Sequence, residues 1–204
     1  MTNGFKRIAA VALIVLAASC AARVAPQQVS VVFPPPPAPP RLQYLTSFNG
    51  LKDIETQSSF NKFVAGEKED LKLDKPYGVA IYDGKIYVCD TNATVIVFDL
   101  KARTFGPLKG VAGPGKIMQP SNISIDRDGV KYVADPVRGQ VVAFDRNDDY
   151  LTAYGTPGGW RPVDAAAFED RLYVVDTKNH VVKIFDKQGA LPIKSIGDQG
   201  EPSE

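Results

Sequence analysis

Three aspartates, Asp90, Asp135 and Asp176, close the near-identical phrases YVCD, YVAD and YVVD; three more, Asp99, Asp145 and Asp186, close VIVFD, VVAFD and VKIFD. So many carboxylates raise the question of a metal site or of paired acid–base groups. Their equivalence argues for scaffolding instead. Catalysis asks for unlike groups at unlike positions, whereas one carboxylate at the same place in every repeat suits a turn, where Asp bonds neighbouring backbone amides. His180 is the sole histidine and has no second His and no Cys/Glu set to make a metal site with it. A Ser-His-Asp arrangement has no support without G-x-S-x-G, and GVAGPGKIMQ lacks the spacing of a phosphate loop. The expectation is a chain with no catalytic residues, no metal and no cofactor.

The strands and turns that carry these residues repeat. Pro76, Pro120 and Pro162 recur every 42 to 44 residues, a period that suits the blade of a β-propeller. Each repeat reads as four short strands. The first are GVAIY, NISID and DAAAF; the second KIYVCD, KYVAD and RLYVVD; the third TVIVFD, QVVAFD and VVKIFD; the fourth TFGPLKG, YLTAYG and LPIKSIG. Second and third strands are nearly continuous apolar runs rich in Val, Ile, Tyr and Phe, so both faces of each sheet are expected to be covered. The fold class is therefore all-β, a partial propeller of about three four-stranded antiparallel blades.

In such a meander the residues two places after each proline, Gly78, Asn122 and Asp164, share one end with the second turns at 90–94, 135–139 and 176–180. They are types that tolerate positive φ, so a special backbone turn is the plain explanation for them. Loops at that end are also where a rigid scaffold binds. The candidate binding face is Gly78, Asn122 and Asp164 with Arg138, Trp160, Arg161, Lys178 and His180, for a protein partner or an anionic glycan.

PYGVAIYDGKIYVCDT and DTKNHVVKIFD resemble NHL repeats, and residues 41–204 resemble the six-bladed propeller of bacterial NHL-repeat lipoproteins. Three repeats match, over about 73–197. The resemblance implies that His180 sits where the repeat commonly carries histidine. It also implies that RLQYLTSF, 41–48, is an orphan outer strand of a last blade that is not here. Similar propeller lactonases and lyases hold a metal with acidic and amide side chains on this face, which makes Asn122 and Asp164 the nominees for an enzymatic alternative. Three blades are half such a ring, so the chain reads as a truncated product, as a half that closes by homodimerisation, or as an open capped unit. DIETQSSFNKFVAGEKEDL, 53–71, is an insertion compatible with a short helix from Asp53 or Ser58 to Gly66, and could cover one sheet edge.

Residues 1–19 have a cationic start at Lys6 and Arg7, an apolar run from Ile8 to Leu16 and small residues before Cys20, the pattern of a signal peptide. A cysteine at that place resembles the lipobox of bacterial lipoproteins, with Ala17 replacing the usual leucine. Cys20 would then carry the lipid anchor, and Ala21 after it favours the outer membrane of the cell envelope. Residues 20–40 end in FPPPPAPP and read as an extended tether. Loss of residues 1–19 shifts the formal net charge from +1 to −1, and a near-neutral chain lacks the footprint of a nucleic-acid binder. Cys89, inside an apolar strand, is expected to be a buried, inert thiol.

Overall fold

The computed structural model describes residues 31–55, 71–92, 94–189 and 191–197. The signal-peptide pattern, Cys20, and the span 56–70 with the expected helix positions Ser58 and Gly66 lie outside them. The chain divides into two units, residues 1–46 and 47–204.

In the first unit β1 (Val32–Phe33) pairs antiparallel with β2 (Leu42–Gln43). Arg41 N donates to Phe33 O at 2.9 Å and Tyr44 N to Val31 O at 2.8 Å. The expected extended tether therefore turns back on itself from residue 31 onward. Its prolines occupy the turn, where a fixed φ helps and a missing N–H costs nothing, while the apolar residues on either side supply the ladder. Within 41–48 the only strand is Leu42–Gln43, and its partner is this hairpin, not a blade.

The second unit holds three four-stranded antiparallel meanders with strands in chain order. The first blade is β3 (Pro76–Tyr82), β4 (Lys85–Asp90), β5 (Val95–Asp99) and β6 (Thr104–Pro107). The second is β7 (Asn122–Ile125), β8 (Lys131–Asp135), β9 (Gln140–Phe144) and β10 (Tyr150–Tyr154). The third is β11 (Pro162–Phe168), β12 (Arg171–Asp176), β13 (Val181–Asp186) and β14 (Pro192–Ile196). The first strands β3, β7 and β11 lie side by side along the common axis.

Alternation sends successive residues to opposite faces, and the repeat keeps that register from blade to blade. Tyr87, Cys89 and Val95 of the first blade pack on Ile123, Val133, Val142 and Phe144 of the second. Tyr132, Ala134 and Val141 of the second pack on Ala165, Leu172, Val174 and Phe185 of the third. Phe98, Phe144 and Phe185, at one repeat position, are fully buried; each such ring contributes roughly 1.5–3 kcal/mol by leaving water.

The outer face of the first blade is covered by the chain that leads into it. Phe48, Ile54 and Leu73 pack against Val88, Ile96 and Phe98, with the Phe48 and Phe98 rings 5.8 Å apart. Leu51 N donates to Leu71 O at 2.9 Å and Leu73 N to Asn49 O at 2.8 Å, which closes the two segments over the blade. Gly50 has no alternative here, because a Cβ would stand 2.2 Å from Leu71 O. The residues Leu51–Asp53 form a 3₁₀ turn whose Asp53 carboxylate receives the N–H of Asn49 and of Gly50. The described cover thus begins at Phe48, ahead of the insertion assigned to that role.

Candidate functional site

First strands begin and second strands end at the same end of the unit, since Pro76 pairs with Asp90 and Pro162 with Asp176. The three repeat aspartates there are buried. Asp135 accepts from Met118 N (2.6 Å), Gln119 N (3.1 Å), Val137 N (3.1 Å) and Arg138 N (2.9 Å). Asp90 accepts from Asp74 N (2.7 Å), Lys75 N (3.0 Å) and Asn92 N (3.3 Å). Asp176 accepts from Arg161 N (3.0 Å), Lys178 N (3.1 Å) and the Asn179 side chain. Each carboxylate ties the turn after its second strand to the loop entering its own blade. Burial pushes the Asp176 carboxyl up, but the Asn179 and backbone donors outweigh it and leave the pKa below the usual value. Asp99, Asp145 and Asp186 likewise accept backbone N–H groups of their own turns.

The structure brings Gly78, Asn122 and Asp164 together across neighbouring first strands. Asn122 Nδ2 donates to Asp164 Oδ1 at 2.8 Å. Ile123 N donates to Asn122 Oδ1 at 2.9 Å and Ala165 N to Asp164 Oδ1 at 2.8 Å. None of the three has positive φ, so the expected special turn is absent. Glycine is required at 78 by close approach instead: a Cβ would lie 2.5 Å from Asn122 Oδ1 and 2.7 Å from Asn122 Cα.

Most of the other nominated residues are engaged with the protein itself. The Arg138 guanidinium donates to Gln140 Oε1 (2.7 Å), Pro114 O (2.9 Å) and Lys116 O, pinning the loop around the 3₁₀ turn Gly113–Gly115. Lys178 Nζ donates to Gly158 O at 2.8 Å. Trp160 packs on Phe185 at 5.3 Å beneath Lys183 Nζ, 4.7 Å from its ring, at the margin of the core. Arg161 is exposed, and its backbone N–H serves Asp176. His180 is exposed at φ +56°, the left-handed turn position that Gly139 fills in the preceding blade at φ +72°. Histidine is one of the residue types that enter this region most readily.

Beside the exposed Arg161, Lys178 and His180, this end also presents apolar side chains that the sequence did not mark: Tyr77, Met118 and Val137, at a strand start, a loop and a turn. The signal for Met118 and Val137 was an apolar residue in a segment that pattern reading treats as polar.

The opposite end of the blades holds polar junctions that sequence reading missed. Lys131 is fully buried, and its ammonium meets Asp148 Oδ1 at 2.6 Å, Asp145 O at 2.8 Å and Arg146 O at 3.0 Å. Lys85 Nζ reaches Asp148 Oδ2 at 2.9 Å and Tyr87 OH donates to Asp148 Oδ1 at 3.0 Å. Burial raises the Asp148 carboxyl, yet the Lys131 and Lys85 ammonium groups hold it below the usual value; the Tyr87 phenol is pushed up by burial and by that carboxylate. Between the second and third blades Asp126 takes Lys187 Nζ (2.9 Å) and Tyr132 OH (3.2 Å). Burial pushes the Cys89 thiol up to about 12, so it stays protonated and unreactive.

At the Asn122–Asp164 pair the amide oxygen accepts the Ile123 N–H, and Asp164 Oδ1 accepts the Ala165 N–H and the Asn122 amide; among the described residues there is no group of three or more His, Cys, Asp or Glu that could hold a metal.

No protein-family model and no curated protein matches this chain. Among solved structures it is similar to a chain of a nidogen/laminin complex, at 15% identity and a TM-score of 0.51, covering 65% of this chain and 52% of that one. It is also similar to the computationally designed protein Ika8, at 10% identity and a TM-score of 0.50, covering 65% and 39%. The chain spans about half or less of the length of these matches. At such identity the likeness concerns the fold alone: an all-β, propeller-type arrangement of four-stranded blades.

Proposed function

We propose that the chain is an exported lipoprotein, anchored through Cys20 at a bacterial outer membrane, whose NHL-type propeller blades are a non-catalytic module recognising an envelope protein or glycan. One observation carries the reading. At the end where the second turns gather, the repeat aspartates, Asn122, Asp164, Arg138 and Lys178 are engaged with the protein itself, while Met118 and Val137 face solvent beside the exposed Arg161 and His180. A surface of that kind suits recognition by shape, apolar contact and a few polar groups.

The test is site-specific photocrosslinking in envelopes. A crosslinker at Val137 is expected to yield one discrete adduct and the same probe at Lys101, at the opposite end, none; equal or absent adducts defeat the reading. Mass spectrometry of the exported chain is expected to find acylated Cys20, and Cys20→Ser is expected to release the protein from membranes. The metal-assisted alternative would require stoichiometric binding of a divalent ion that Asp164→Ala abolishes together with an activity.

A further inference from the structure

The blade register makes the third blade's outward face a continuation of the two internal junctions. On the first blade the side chains turned toward the next blade are Ala80, Tyr87, Cys89, Val95 and Val97, packed against the second. On the second they are Tyr132, Ala134, Val141 and Ala143, packed against the third. The same positions of the third blade, by the ladder pairs Ala166 with Tyr173 and Val175 with Val182, are again apolar. Ala166 and Val175 are exposed there and Tyr173 and Val182 half-buried, while Ile184 is buried; beside them Phe168 is 64% and Ile196 53% exposed. Val175, Val182, Ile196 and His180 line a shallow groove of about 620 Å³ on this side.

The chain carries the complementary surface at its other end. Phe48, Ile54 and Leu73 cover the first blade over Val88, Ile96 and Phe98, but not its axial strand, where Tyr77 is 79%, Val79 60% and Ile81 71% exposed. Both internal junctions set one first strand beside the next, β3 by β7 and β7 by β11. A third contact of the same kind would place β11 beside a β3.

We infer that a second copy of this chain supplies that β3: the open face of the third blade in each copy docks on the exposed axial strand of the first blade in the other, and two copies close one ring. The interface is head-to-tail and occurs twice, so closure leaves neither apolar face in water. A β3 of this chain is favoured over an unrelated partner because it has the residue types and register that β7 and β11 present at the internal junctions. It stands free on the same molecule.

The experiment is sedimentation velocity on the exported chain carrying Cys20→Ser, which removes lipid-driven association. At about 100 μM the expected species has twice the monomer mass. Val175→Asp and Ile81→Lys, each alone, are expected to weaken the dimer by roughly 30-fold or more, because each buries an unpaired charge. Mixing the two variants is expected to restore a dimer, since one junction then joins the new carboxylate to the new ammonium and the other is native. Circular dichroism of each variant, and the milder Val175→Thr and Ile81→Thr, separate loss of association from loss of folding. A monomer at that concentration, an open-ended polymer, or a dimer sensitive at residue 175 but not at residue 81 would each overturn the inference; the first points to additional blades as the cover, the last to paired third blades.

Discussion

The two internal blade junctions solve the same problem by different chemistry. Both set aromatic and aliphatic side chains face to face and finish with a carboxylate, a tyrosine hydroxyl and one or two lysines at the end away from the candidate site. In the first junction two lysines meet Asp148: Lys85, which crosses from the first blade at 2.9 Å, and Lys131, sealed from solvent, with all three of its N–H groups matched to Asp148, Asp145 O and Arg146 O. In the second the lysine is Lys187, partly exposed, and Asp126 keeps two N–H donors of its own turn, from Asp128 and Val130. Repeat position therefore fixes where a junction needs a polar closure, while burial decides how much depends on it. A sealed ammonium has no water to fall back on when its partner is removed.

Substitution at the first junction should cost most. Lys131→Met should lower unfolding stability by about 3–5 kcal/mol, since the buried Asp148 carboxylate is left with Lys85 alone as counter-charge and Asp145 O and Arg146 O lose the ammonium donor. Adding Asp148→Asn should return part of that loss. Urea denaturation of the two variants measures both, and additive losses would show that the residues do not act as a pair.

Acid should come next. The folded Asp148 and Asp126 carboxyls lie below the ordinary 3.8, so the stability they contribute is fully present above that value and is lost as pH falls through the folded pKa values. Melting temperatures between about pH 5 and pH 2 should fall, and the fall should be shallower in Asp148→Asn. Equal slopes would remove Asp148 as a cause.

Lys187→Met, at the second junction, should cost less, about 1.5–3 kcal/mol: the ammonium lost is partly exposed, and Asp126 gives up its counter-charge but retains Tyr132 and its backbone donors. A cost equal to that of Lys131→Met would erase the contrast between the junctions. Lys109 pairs with Asp149 at 2.9 Å on the surface beside the first junction, and Lys109→Ala should leave the denaturation midpoint unchanged within error.

Much of the fold was legible because the chain says the same thing three times. The twelve blade strands fall where KIYVCD, QVVAFD, RLYVVD and their counterparts place them, to within two or three residues at the ends. The juxtaposition of Asn122 and Asp164 was legible for the same reason, as equivalent positions of adjacent repeats meet around an axis. The structural role of the aspartates was legible from their sameness. Other features were not. Arg138, Lys178 and Trp160 read as free surface groups because the carbonyls and ring that engage them, at Pro114, Gly158 and Phe185, are distant in sequence or unmarked by type. Lys131 read as a strand terminus because nothing nearby announces that Asp148 arrives beside it. The proline-rich segment read as an extended spacer because the partners of Val32 and Phe33 lie beyond the prolines.

The amino-acid order alone set the unit of structure: a period of about 42 residues, nearly continuous apolar runs in the second and third strands, and a turn carboxylate per repeat are local properties, set by backbone geometry and the need to bury both faces of each inner strand. Tertiary structure alone decided which polar groups are committed and which apolar faces remain open. Those outcomes depend on contacts between residues far apart in the chain, and no residue type declares them in advance.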